Sequence, residues 1–166
     1  MIRIKRINPK RKLLILDIDN TLLYLEHKAN FKFKNQKIDP DFKIDNDYYG
    51  VFRPYLEKFL KAISKHYDIA LWTTGNTKYA NEIANLIFDP LNIKLIFVWS
   101  GNECYSGTSK SLDLVIEEFP EYAKKDIIAL DDSPNCYRLD PENLIKIPKF
   151  LGDPNDTELL KVLKEL

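Results

Sequence analysis

The chain has 166 residues, 45% of them hydrophobic, with 25 lysines and arginines against 25 aspartates and glutamates. That length predicts one domain with its own core, and a net charge of zero removes any overall electrostatic case for nucleic acid or an anionic membrane. Two cysteines and two histidines without Cys-x-x-Cys spacing argue against zinc or a disulfide framework, and no apolar run approaches the roughly 20 residues of a spanning helix or forms a signal peptide, so the expectation is a soluble intracellular protein of cytoplasm or nucleus.

The first twelve residues crowd Arg3, Lys5, Arg6, Lys10, Arg11 and Lys12 together. They read as a solvated lead-in rather than a binding arm. Residues 13–18 form an apolar run, Leu-Leu-Ile-Leu-Asp-Ile, that suits a strand buried on both faces. It stops at Asp17 and Asp19, which point to the same side because side chains two apart on a strand do so. Two like charges forced together are costly unless a cation or a shared proton compensates.

Residues 24–55 break the pattern. This stretch holds eight aromatics: Tyr24, Phe31, Phe33, Phe42, Tyr48, Tyr49, Phe52 and Tyr55. A structureless loop of that length is unusual in a compact domain. It is expected to be a small β-hairpin insertion, spanning about 24–53, over the cleft, its aromatics serving either packing or substrate contact.

Beyond it, helix-like and strand-like segments alternate. Residues 54–65 predict a helix with Pro54 at its first position. A strand follows over 68–73, a helix over 77–88, a strand over 94–99 and a helix over 109–119. A strand over 127–130 ends at Asp131, a short one covers 143–147, and a closing helix covers 156–166. Such alternation predicts an α/β fold, a three-layer, Rossmann-like parallel sheet covered on both faces with no large cap, whose ligands bind at the carboxyl ends of the strands.

Four elements fall at those ends in the order Asp17-x-Asp19, Thr73, Lys110, Asp131-Asp132. Phosphoryl transfer asks for this inventory. A phosphate dianion repels an anionic nucleophile, so a hard cation must neutralise it, and Mg²⁺ prefers oxygen ligands. Asp17 and Asp131 offer carboxylates, the Asp19 carbonyl a third oxygen, and Asp132 an outer or water-mediated place. Asp17 is the candidate nucleophile, forming an acyl phosphate. Asp19 is the candidate general acid and then base, which requires a raised pKa. Thr73, Thr74 and the backbone of Thr74-Gly75-Asn76 make a phosphate seat at a helix start, and Lys110 offsets charge on the phosphoryl group. Each part alone has an ordinary structural explanation; their combination in this order carries the assignment.

Asp17-Ile18-Asp19-Asn20-Thr21-Leu22 resembles the first motif of the haloacid dehalogenase (HAD) superfamily. Leu71 to Ala80, Lys110-Ser111-Leu112, Leu130-Asp131-Asp132-Ser133-Pro134, Phe52-Arg53-Pro54 and Asp156-Thr157-Glu158-Leu159 are similar to segments of one branch, the small C-terminal-domain phosphatases that act on the RNA polymerase II tail. The likeness spans about residues 12–166. It implies a phosphoserine or phosphothreonine phosphatase, with Asp17 as nucleophile, Asp19 as acid/base, Thr73 and Lys110 as phosphate binders, and Asp17, Asp19 and Asp131 around Mg²⁺. The implied partner is a phosphorylated protein or peptide. Two departures stand out. Members usually carry Asn where this chain has Asp132, and their peptide-reading arginine has no counterpart here, since no arginine lies between Arg53 and Arg138.

The alternatives are a phosphatase of nucleic-acid ends or small phosphoesters, and a receiver-like phospho-Asp signalling domain. In a receiver the acidic pair comes first and the lysine last; here the acidic pair comes last.

Overall fold

The computed structural model describes residues 11–166. The basic run from Arg3 to Lys10 lies outside the described residues. Arg11, read as part of a solvated lead-in, is instead tied down. Its Nη2 donates to the carbonyls of Ser64 and Tyr67 at 2.6 and 2.5 Å, and its Nε lies 3.5 Å from Asp68 Oδ1.

Strand β1 (Lys12–Leu16) precedes five short strands: β2 (Leu23–His27), β3 (Lys32–Phe33), β4 (Gln36–Lys37), β5 (Phe42–Ile44) and β6 (Tyr48–Phe52). Then come α1 (Leu56–Ile63), β7 (Tyr67–Trp72), α2 (Thr77–Phe88), β8 (Leu95–Trp99), α3 (Leu112–Glu118), β9 (Ile127–Asp131), β10 (Leu144–Lys146) and α4 (Glu158–Glu165). Five strands make one parallel sheet in the order β10-β9-β1-β7-β8. From β1 the chain winds outward through β7 and β8, then crosses back to β9 on the other side. That reversal beside β1 opens the crevice where α/β sheets bind ligands. The expected α/β, Rossmann-like architecture is what forms.

Strand alternation builds the layers. Leu14, Leu16, Ile69, Leu71 and Leu130 face one core, shared with Phe59 of α1, Ile83 of α2 and Leu159 of α4. Leu13, Ile15, Ala70, Trp72, Ile127 and Ala129 face the other, shared with Leu112 and Val115 of α3. All these strand positions are essentially inaccessible to solvent, which leaves β1 buried on both faces.

Three helices start later than the sequence pattern suggests, α4 among them at Glu158 rather than 156. Tyr55 takes a left-handed conformation (φ 67°) immediately before α1, so Pro54 falls outside the helix rather than at its first position. Ahead of α3, Tyr105 and Ser109 pair across a turn in which Ser106 and Gly107 have positive φ. Lys110 therefore precedes the helix instead of lying within it.

Residues 23–52 form more than one hairpin. Antiparallel strands order as β2-β6-β5, and β3 pairs with β4. Phe42 lies across from Gly50, where a Cβ would come within 2.1 Å of the Phe42 ring. Only glycine leaves room for that ring, which stacks on Phe52 at 4.9 Å between centroids. Tyr24 stacks on Phe31, and Phe31 meets Tyr49 edge-on. Ring packing thus engages Tyr24, Phe31, Phe42, Tyr49 and Phe52, while Tyr48 and Tyr55 are exposed.

Candidate active site

The carboxyl edge of β1 is continued by Asp17, whose N–H donates to Leu130 O of β9 at 3.0 Å. Asp17 keeps the parity of Leu13 and Ile15, and Asp131 keeps that of Ile127 and Ala129, so both project toward the α3 side of the sheet. Lys110 arrives from that side. Its Nζ donates to Asp17 Oδ1 at 2.9 Å and to Asp131 Oδ2 at 2.6 Å, and it is fully buried. Burial alone would depress this ammonium. The charge of Asp17, together with that of Asp131 and the bond to it, overcomes burial and holds Lys110 well above its usual range. Its third N–H remains for a further acceptor.

One ammonium does not balance the site. Asp17, Asp131 and Asp132 each bring a carboxylate oxygen within 4.8 Å of the other two. Burial, then the Asp17 charge, pushes both Asp131 and Asp132 upward, although Lys110 pulls Asp131 the other way. A hard cation among three oxygen donors relieves that repulsion, so the donor set fits a divalent metal ion that prefers oxygen ligands.

Thr21 ties two of these groups together. Its hydroxyl lies 3.0 Å from Asp17 Oδ2 and 3.3 Å from Asp132 Oδ1, and its Oγ1 accepts the Asp132 N–H at 3.2 Å. The turn that places it depends on Asn20, at φ 62°. Asparagine tolerates that conformation, and Asn20 Nδ2 donates to Phe150 O while Phe150 N–H returns to Asn20 O.

Asp19 stands apart from the three converging carboxylates. Its Oδ1 accepts the Tyr79 hydroxyl at 2.7 Å. Burial lifts its pKa to about 6, with the Asp17 charge pushing the same way and the Tyr79 bond opposing. Tyr79 belongs to the first turn of α2, where the Asn76 side chain caps the helix by accepting the Tyr79 N–H at 2.8 Å. Burial and the Asp19 charge hold the Tyr79 phenol far above its usual range, so it remains a donor.

Thr73 follows β7 and is buried; its N–H donates to Trp99 O, and its Oγ1 accepts the Gly75 N–H at 3.0 Å. Thr74 is exposed beside it. The turn over 100–103 supports this loop. Gly101 N–H donates to Gly75 O at 2.7 Å, and a Cβ on Gly101 would sit 2.6 Å from Thr74 O. Ser100 Oγ lies 2.9 Å from Thr77 Oγ1.

Sequence reasoning named Asp17, Asp19, Thr73, Thr74, Lys110, Asp131 and Asp132, and all of them lie at the carboxyl edge of the sheet. It missed Thr21 and Tyr79. Thr21 lies inside the first motif, and Tyr79 inside the segment Leu71 to Ala80 and the helix predicted over 77–88, where no role is assigned to its hydroxyl.

A family profile described as NLI interacting factor-like phosphatase matches residues 12–166. The chain is 33% identical over 180 residues to CTD phosphatase-like protein 355R of Invertebrate iridescent virus 3, covering 96% of this chain and 97% of that one. It is 30% identical over 169 residues to CTD nuclear envelope phosphatase 1B of Danio rerio, covering 96% and 67%. Among solved structures it is similar in fold to Fcp1, an essential RNA polymerase II CTD phosphatase, with a TM-score of 0.66 at 22% identity, covering 95% of this chain and 50% of that one.

Proposed function

We propose, from the premise that this chain belongs to the NLI interacting factor-like phosphatase family, that it is a Mg²⁺-dependent phosphatase working through an aspartyl-phosphate on Asp17. The substrate is phosphoserine or phosphothreonine of a protein, with the RNA polymerase II C-terminal repeats the first to test. Residues 1–166 act as a single HAD-like phosphatase domain, with the insertion at about 24–53 at its rim. The observation that carries this reading is the buried junction of Asp17, Lys110 and Asp131 at the topological switch.

Asp17, Asp131 and Asp132, with the Asp19 carbonyl, would hold the cation, which neutralises phosphate charge when bound. An Asp17 carboxylate oxygen attacks phosphorus, and the bond from phosphorus to the serine or threonine oxygen breaks. Asp19, protonated, gives its proton to that leaving oxygen. The resulting Asp19 carboxylate then takes a proton from water as the water attacks the phosphoryl group, which frees Asp17 and restores Asp19. Lys110, through its third N–H, and the Thr73–Gly75 loop bind the phosphoryl oxygens. Asp19 with its raised pKa supports turnover and weighs against a receiver-like module, which keeps its phosphoryl group.

No helix among the described residues is long and apolar enough to cross a membrane.

Phosphate release from phosphoserine peptides tests the proposal. Hydrolysis is expected with Mg²⁺ and loss to background in excess chelator; full activity in chelator overturns the metal role. A pH profile tests Asp19. The first step needs its protonated form, so kcat/KM is expected to fall as pH rises through about 6. The Tyr79 bond lowers that pKa, so Tyr79→Phe is expected to move the falling limb to higher pH. A limb that stays put removes Asp19 from the acid role.

A further inference from the structure

Two sequence motifs, Phe52-Arg53-Pro54 and Asp156-Thr157-Glu158-Leu159, have no part in the chemistry above, yet they meet. We infer that Arg53 is a positioning residue that fixes the Asp17–Thr21 loop and so sets the geometry of the nucleophile. This rests on the phosphatase reading of the same site.

Arg53 is 1% exposed, among the largest side chains buried to that degree. Its guanidinium has five N–H donors and no acceptor. Nε donates to Asp156 Oδ1 and Nη2 to Asp156 Oδ2, both at 2.9 Å. Nη2 also donates to Pro148 O at 2.8 Å. Nη1 reaches Thr21 O at 3.1 Å and Asn20 O at 3.4 Å. Every donor has an acceptor, and the face of the group lies 5.5 Å from the Phe150 ring centroid.

The two carbonyls matter most. Asn20 and Thr21 follow Asp19 directly, and the Thr21 hydroxyl spans Asp17 and Asp132. Arg53 therefore grips the backbone whose side chain orients the nucleophile. Asp156, 103 residues away in sequence, holds the fork in place and also accepts the Glu158 N–H at the start of α4. Lysine cannot replace this group, because an ammonium has three donors and no planar fork.

The test is a double-mutant cycle of Arg53→Lys and Thr21→Val, read by steady-state kinetics on an aryl phosphate beside thermal unfolding. Arg53→Lys is expected to lower kcat at least tenfold with KM within threefold of wild type. In the Thr21→Val background, the same change is expected to cost less than threefold, because the hydroxyl through which it acts is gone. A folded Arg53→Lys protein with a lower unfolding temperature but unchanged kcat, or equal losses in both backgrounds, overturns the inference. Should Arg53→Lys not fold, Asp156→Asn puts the same question. It removes the charge that holds the fork and leaves both carbonyl acceptors, so a folded Asp156→Asn protein with wild-type kcat overturns the inference. An active Asp17→Asn protein would instead sink the phosphatase reading itself.

Discussion

Asp17→Asn is expected to abolish turnover of an aryl phosphate while leaving the protein folded. Asparagine is nearly isosteric: its carbonyl oxygen can still accept from the Lys110 ammonium, which bonds Asp17 Oδ1, while its amide N–H can donate to the Thr21 hydroxyl, which bonds Asp17 Oδ2. What it lacks is an anionic oxygen to attack phosphorus. Loss of the nucleophile is expected to cost about a thousandfold or more in kcat, or ~4 kcal/mol of barrier. Stability should move the other way or stay level. The Asp17 charge pushes Asp131 and Asp132 upward, so its removal relieves repulsion in a buried cluster. Steady-state hydrolysis and a thermal melt on the same sample check both halves. Comparable activity in wild type and variant refutes the assignment.

Lys110→Met is expected to damage fold and function together. The ammonium is fully buried between Asp17 and Asp131, and methionine fills its stem without its charge. Breaking a buried ion pair from one side leaves uncompensated charge and costs on the order of 3–5 kcal/mol. The pH dependence has a definite sign. Lys110 pulls the Asp131 pKa down, so without it Asp131 rises further above its unfolded value. A carboxyl raised in the folded state makes the folded protein bind more protons than the unfolded one, and stability then falls as pH increases. The deficit of the variant should be smallest in acid and largest at neutral pH. Added Mg²⁺ should return part of it, because a cation among the same carboxylates replaces the lost charge. Denaturant unfolding at two pH values, with and without Mg²⁺, reads all of this. A melt at neutral pH without Mg²⁺ that matches wild type would contradict the placement of Lys110.

Much of the site was legible because its groups sit where strands stop. Asp17 and Asp131 follow apolar runs whose period and length identify buried strands, and strand ends at one edge must share a crevice. Thr73 and Lys110 were found by order along the chain. Thr21, Tyr79 and Arg53 lie inside the motifs, but their roles do not show there, for a physical reason. Their roles are contacts made at long range: Tyr79 to Asp19 across 60 residues, Arg53 to Asp156 across 103, and Thr21 to Asp132 across 111. Local pattern carries no trace of such pairs. Tyr79 fits the apolar periodicity of α2 and conceals its hydroxyl's task. A buried arginine contradicts the usual placement of charge, and only its five acceptors explain it. The start of α1 was misplaced because a left-handed tyrosine has no sequence signature. The insertion was read as one hairpin because its strands of two to five residues are too short to show a period.

The central sheet ends on one side at β10, three residues long, and on the other at β8, whose pairing with β7 shifts register between Ile69 and Leu71. Neither border offers a long, even row of free backbone groups. A neighbouring molecule trying to extend the sheet would lose alignment within a few residues, as it would on other blunted borders. Strand-by-strand polymerisation is thereby disfavoured at the level of the backbone, even though β1, β7 and β9 are largely apolar.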